Sequence, residues 1–278
     1  MFASVSAELF TLRKRPALWV LGGVWLSLLL FFGYGLTWLS YRSAANPAVG
    51  QRILADALPA NLVGNAIAGY ALFGGAMVMI LGALVAGSEY GWGTLKTVFT
   101  QRPGRWSVHL GRVGALAVAL LAMVLVSFAL SAGASATIAT VESAPLDWPS
   151  AADVMRGVAA GWLVLGMWCA FGLLLGTLAR GPALAIGLGL VWALVLENLV
   201  REFAALLEPL AAVQRVLPGV NAGSLVAALG SQGGAGTEGG TPGVVAVVDG
   251  TEAAVVLAAY VIGFVLVSGL LLQRRDVT

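Results

Sequence analysis

Residues 87–105 read GSEYGWGTLKTVFTQRPGR, and they stand between two of the most apolar runs of the chain. Residues 67–88 lie on one side and 108–132 on the other. Each run supplies the roughly 20 apolar residues that a helix needs to cross a hydrocarbon core about 30 Å thick. The intervening stretch carries aromatic, glycine and basic residues, among them Lys96, one of only two lysines. Two spans joined by a short polar connector point to a polytopic helical membrane protein.

Composition agrees. Of 278 residues, 59% are hydrophobic and 10% charged, and mean hydropathy is +0.93. A soluble domain carries about 25% charged residues, so this chain cannot cover an aqueous surface. One cysteine, Cys169, excludes an internal disulfide framework. With a single histidine, His109, little is left for zinc, haem or iron–sulfur ligation.

Working outward, six spans are expected: 17–39 (TM1), 67–88 (TM2), 108–132 (TM3), 157–179 (TM4), 183–199 (TM5) and 253–272 (TM6). The first follows Arg13-Lys14-Arg15 but exceeds a signal-peptide core of about 7–15 residues, so it reads as a retained helix. Six spans put both termini on one side. If that side is the cytoplasm, it holds Arg13, Lys14, Arg15, Lys96, Arg102, Arg105, Arg112, Arg180, Arg274 and Arg275. The other side keeps Arg42, Arg52, Arg156, Arg201 and Arg215, with most of the acids. The positive-inside bias therefore predicts a multi-pass protein of the cell membrane with cytoplasmic N and C termini.

Between spans, residues 1–16 place Phe2, Val5, Leu9 and Leu12 on one helical face. That pattern predicts an amphipathic interfacial helix, against the alternative of a frayed tail whose cations anchor the first span. Residues 200–252 form a long extracellular loop. Pro209 and Pro218 cut its apolar first part into short re-entrant or outer-leaflet helices, and GSQGGAGTEGGTPG follows as a flexible connector. Gly157 with Gly161, and Gly172 with Gly176, are spaced for close helix approach, either within the chain or at a dimer seam.

Within residues 89–106, Tyr90 and Trp92 suit a membrane interface, and Gly91 and Gly93 loosen the helix leaving the second span. Thr94 can cap a new helix whose face is Leu95, Val98 and Phe99. Pro103 and Gly104 stop it, and Arg105 with Trp106 re-anchors the chain. Such a face wants a partner, lipid or protein.

Those residues carry a resemblance. GSEYGWGTLKTVFTQRPGR after the second span resembles the cytoplasmic loop of ABC-2 type exporter permeases, with its glutamate-tyrosine pair, glycine-threonine and later basic residue. AELFTLRKRPALWVLGG is similar to that family's N-terminal amphipathic helix and first span, and LLQRRDVT to its arginine-aspartate tail. The resemblance implies an all-α single transmembrane domain, residues 1–278. It further implies a second permease copy or related chain and two copies of a separate ATP-binding cassette subunit, where ATP and Mg²⁺ would sit. Residues 94–100 would be the coupling helix, with Glu89 and Tyr90 holding its start, Lys96 within it and Arg105 securing its exit. The implied function is ATP-driven export of a hydrophobic or amphipathic substrate: a drug, a peptide or a lipid-like molecule. The alternative is a non-transporting scaffold or assembly factor that recruits a cytosolic partner through residues 89–105. Membrane lipids are expected partners and nucleic acid is not.

No P-loop is present: Lys14 precedes arginine, and Lys96 in GTLKT lacks the preceding glycine. No cofactor is therefore expected on this chain. Nothing pairs His109 or Cys169 with a nucleophilic serine, so a transporter subunit is expected rather than an enzyme. His109 is expected at the inner membrane interface. Ionisable residues in mid-span are costly and mark pathways; here only Glu197 and Asn198 come close, either ending the fifth span or lying beside an outer gate. A cavity between spans two and five would be lined by Phe73, Met77, Met79 and Trp192.

Overall fold

The computed structural model describes residues 2–91, 104–204, 206–231 and 240–274, and among these it is helical with no β-strand. Eleven helical segments are distinguished below. α1 (Phe2–Lys14) is followed by α2 (Pro16–Ser43), which contains a π turn at Phe31–Gly35. α3 (Pro47–Ala57) and α4 (Leu62–Ile67) are short, and α5 (Phe73–Gly91), α6 (Arg105–Val141) and α7 (Ala151–Ala179) are long. α8 (Pro182–Ala204) carries a second π turn at Val191–Leu196. Short α9 (Glu208–Val216) and α10 (Pro218–Ala228) precede the long α11 (Gly250–Arg274).

Among the described residues five helices, α2, α6, α7, α8 and α11, are long and apolar enough to cross a membrane; the total is six if a bent pair counts as one span. That pair is Pro59–Tyr70 with Phe73–Ser88, bent by 48°. The sequence suggests an unbroken helix over 67–88; the structure breaks it at Ala71-Leu72. The cause is a pair of indoles. A Cβ at Gly69 or Gly74 would meet the Trp25 ring, and one at Gly75 would meet Trp168. The chain turns around these wedges, with Gly243 at φ 88° packed on Leu72 from the other side.

Other helices run beyond their apolar runs. α6 continues past Ala132 to Val141, and its late hydroxyls bond back onto the helix's own carbonyls. Thr137 Oγ1 donates to the Gly133 carbonyl at 2.7 Å and Thr140 Oγ1 to the Ala136 carbonyl at 3.0 Å. Helix starts follow ordinary chemistry. Asn46 Oδ1 accepts from Ala48 N ahead of Pro47, and Ser150 Oγ accepts from Asp153 N at the head of α7. α7 ends on Arg180 in the left-handed region, φ 54°, before Gly181-Pro182 turns the chain into α8.

α5 and α7 form the centre. A Cβ on Gly82 would strike the Cys169 carbonyl, and one on Gly172 the Met79 carbonyl; at Gly176 it would lie 2.8 Å from the Ala83 carbonyl. Gly157 and Gly161 receive Val63, Phe128, Tyr70 and Ile67. Both glycine pairs therefore serve packing within this chain, where backbones touch as small residues allow.

Candidate functional site at the basic end of the bundle

The ends of α1, α5, α7 and α11 and the starts of α2, α6 and α8 meet at one end of the bundle. Arg15, in the bend between α1 and α2, reaches the last turns of α5. It donates through Nη1 to Ser88 Oγ at 2.9 Å and to the Leu84 carbonyl at 3.3 Å. At the head of α6, Arg105 donates to the Gln273 carbonyl at 2.7 Å and to Leu272 at 3.3 Å, both in the last turn of α11. The Arg105 guanidinium therefore lies where carbonyls lack helical partners and the helix dipole is negative, whereas Arg15 bonds a serine hydroxyl and a carbonyl about two turns before the end of α5.

Around these clamps the packing is close. α1 lies along the first turns of α6: Ser4 Oγ and Ser107 Oγ are 3.1 Å apart, and Gly111 and Gly114 leave room for Ser4 and Val5. Leu12 is buried and Val5 and Leu9 half-buried, so this part of the apolar face packs on protein. His109, one turn into α6, is 2% exposed and packs inside the bundle. Its Nε2 is 2.9 Å from the Val265 carbonyl, which can only accept, so Nε2 carries the proton. Ser268 Oγ donates to the same carbonyl at 3.0 Å. Trp106 fills the space left by Gly269. At the end of α5, Gly87 lies against Gly181 and Pro182.

The connector between these clamped helices is where the sequence places its coupling residues. Trp92, Gly93, Thr94, Leu95, Lys96, Val98 and Phe99 lie outside the described residues. Glu89, Tyr90 and Gly91 complete α5, which runs through Gly91.

The residues proposed for a substrate path stand in different surroundings. Phe73 is 49% exposed, whereas Met79 is fully buried with its sulfur in the space left by Gly189 of α8. Met77 packs against the core. Between α5 and α8 the side chains thus fill the space at Met79. Glu197 is 4% exposed. It accepts from Trp192 Nε1 at 2.8 Å and from the amides of Gly219 and Val220, closing the first turn of α10. Asn198 Nδ2 donates to the Leu194 carbonyl at 2.7 Å, and its Oδ1 accepts from Arg201. An apolar groove of about 260 Å³ lies elsewhere, between α6, α7 and α11, walled by Leu116, Leu120, Trp162, Cys169, Leu173 and Val261. Sequence reading missed this groove, the Arg15 clamp and the Glu197 cap. The basic cluster marked Arg15 as an anchor, but nothing local names its partner on α5.

Among the described residues no group of three or more His, Cys, Asp or Glu could hold a metal ion. No family model matches the chain, and no curated protein matches it.

Proposed function

We propose that this chain is the permease subunit of an ATP-driven ABC-2 type exporter, receiving work from a separate ATPase through residues 89–105. The observation that supports this reading most is how the ends of that segment are held. Its upstream end is fastened to α1 and α2 by Arg15, and its downstream end to α11 by Arg105. A push on the connector would reach five helices, α1, α2, α5, α6 and α11, at once instead of bending one. That is what conversion of ATPase closure into movement of a helix bundle requires. The basic end would face the cytoplasm, where the ATPase resides, and the substrate would be hydrophobic or amphipathic, moving outward.

Affinity purification of the full chain from its native membrane tests the proposal. A P-loop ATPase is expected to accompany it in near-equal amount, with vanadate-sensitive ATP hydrolysis in the recovered complex. Recovery of a partner without nucleotide-hydrolysing activity would favour the scaffold reading instead.

A further inference from the structure

α6 carries Ser127, Ser131 and Ser135 one turn apart on a single face, each fully buried. A serine in an apolar helix normally returns its hydroxyl to a carbonyl one turn back. Ser127 does so to Met123 at 2.9 Å and Ser135 to Ala132 at 3.1 Å. Ser131 does not: its Oγ, with no exposure, has no hydrogen-bond partner. Opposite it stands Tyr34, 3% exposed, in the π turn of α2. The Tyr34 hydroxyl approaches Ser131 and Asn65 yet closes no hydrogen bond of ordinary geometry. Asn65, on α4 in the bent arm of the second span, donates through Nδ2 to the Asp56 carbonyl, which leaves Oδ1 as its acceptor.

One turn along α6 the pattern repeats. Trp25 Nε1 donates to Ser127 Oγ at 3.2 Å, and the fully buried Tyr70 hydroxyl beside it is unpartnered. Buried hydroxyls are ordinarily satisfied, and an orphan costs free energy comparable to a lost hydrogen bond. Two elements that deliver these groups are irregular: a π turn, which rotates Tyr34 relative to a regular helix, and a span broken at Ala71-Leu72. Both irregularities recur at functional sites inside membranes.

We propose that Tyr34, Ser131 and Asn65 form an intramembrane binding site for a neutral hydrogen-bonding oxygen, that of water or of an alcohol hydroxyl. The named side chains offer donors and acceptors without charge, so a charged ligand would lose its hydration and gain no counter-ion. A water bridging the two hydroxyls and the carboxamide would have three polar partners, the usual number for buried water. The site lies between α2, α4 and α6, apart from the clamps at the basic end, and does not depend on the proposed export function.

Hydroxyl-radical footprinting of the full chain in H₂¹⁸O, read by mass spectrometry, tests it. Bound water next to Tyr34 should give ¹⁸O incorporation there at a rate comparable to half-buried Tyr41. The Ser131→Val variant should lower Tyr34 labelling on the order of tenfold and leave Tyr41 unchanged. Adding 1-decanol separates the two sources: protection of Tyr34 means the alcohol occupies the site, and no protection means water does. Both results sustain the site. Background labelling of Tyr34 in the unaltered chain would overturn it, and so would Tyr34 labelling unchanged by Ser131→Val. Should Ser131→Val fail to fold, the unaltered chain still decides.

Discussion

The two ends of the bundle are fastened by opposite chemistry. At the basic end, cations of distant segments sit on helix carbonyls: Arg15 on Leu84 in the second-last turn of α5 and Arg105 on the end of α11. At the far end, carboxylates sit on helix amides. Glu197 closes the start of α10, and Asp249 Oδ2 accepts from Thr251 N at 2.8 Å at the start of α11. That amide bond holds the Asp249 carboxyl below its ordinary value. Arg105, Glu197 and Asp249 all obey the helix dipole. They differ in what is tied. Basic-end clamps join long helices around residues 92–103, whereas Glu197 ties a non-spanning cap helix to α8. One end ties long helices to one another, the other holds short helices in place.

Glu142 is the exception that sharpens the contrast. It follows α6 at the C-terminal end, where a carboxylate opposes the dipole. Three donors from α2 compensate: Trp38 Nε1 at 2.9 Å, Tyr41 hydroxyl at 3.1 Å and Arg42 Nη1 at 3.2 Å. The Trp38 bond first, aided by Tyr41 and Arg42, holds the Glu142 carboxyl below its ordinary value.

The largest effect is expected from Glu197→Ala, which leaves the Trp192 indole and two amides unpaired in a buried place. Thermal unfolding in detergent should show a loss of about 3 kcal/mol. Protease cleavage within α9 and α10 should rise as the cap loosens. An unchanged cleavage rate would mean that Glu197 does not hold it. Next comes Arg105→Met, expected to cost about 1–2 kcal/mol and to speed amide exchange in the last turn of α11 more than at the far end. Arg15→Met should cost about 1 kcal/mol, with faster exchange confined to α1 and the last turns of α5. Equal loosening at both ends in either variant would erase the distinction drawn between them. The smallest effect is pH-dependent. Because the folded Glu142 carboxyl is depressed, its contribution is complete above the ordinary carboxyl range and fades as pH falls through the folded value. Acidification from about pH 6 to about pH 3 should therefore lower the unfolding midpoint slightly less in Glu142→Gln than in the unaltered chain.

Apolar run length announces most long helices here, because a span must be apolar nearly throughout. Their irregularities are not legible the same way. No proline marks the break at Ala71-Leu72; it comes from the Trp25 and Trp168 rings, which lie far away in sequence. The length of α6 is hidden because residues 133–141 are small and less apolar, so the apolar run stops at Ala132 while the helix does not. At the basic end, Arg105 is legible as an anchor before the third span, but its acceptors lie more than 160 residues away on α11. Glu197 stands out as an acid beside an apolar run. Its task depends on α10, whose start at Pro218 is visible in the sequence while its docking is not.

The central claim is that mechanical work enters through the connector between α5 and α6. The most direct measurement is ATPase co-purification with Leu95→Asp combined with Phe99→Asp, in a chain whose membrane insertion and monodispersity match the unaltered protein. Loss of the ATPase from the purified complex is the predicted result. An ATPase that stays bound at the same ratio, hydrolysing ATP at the same rate, would contradict it.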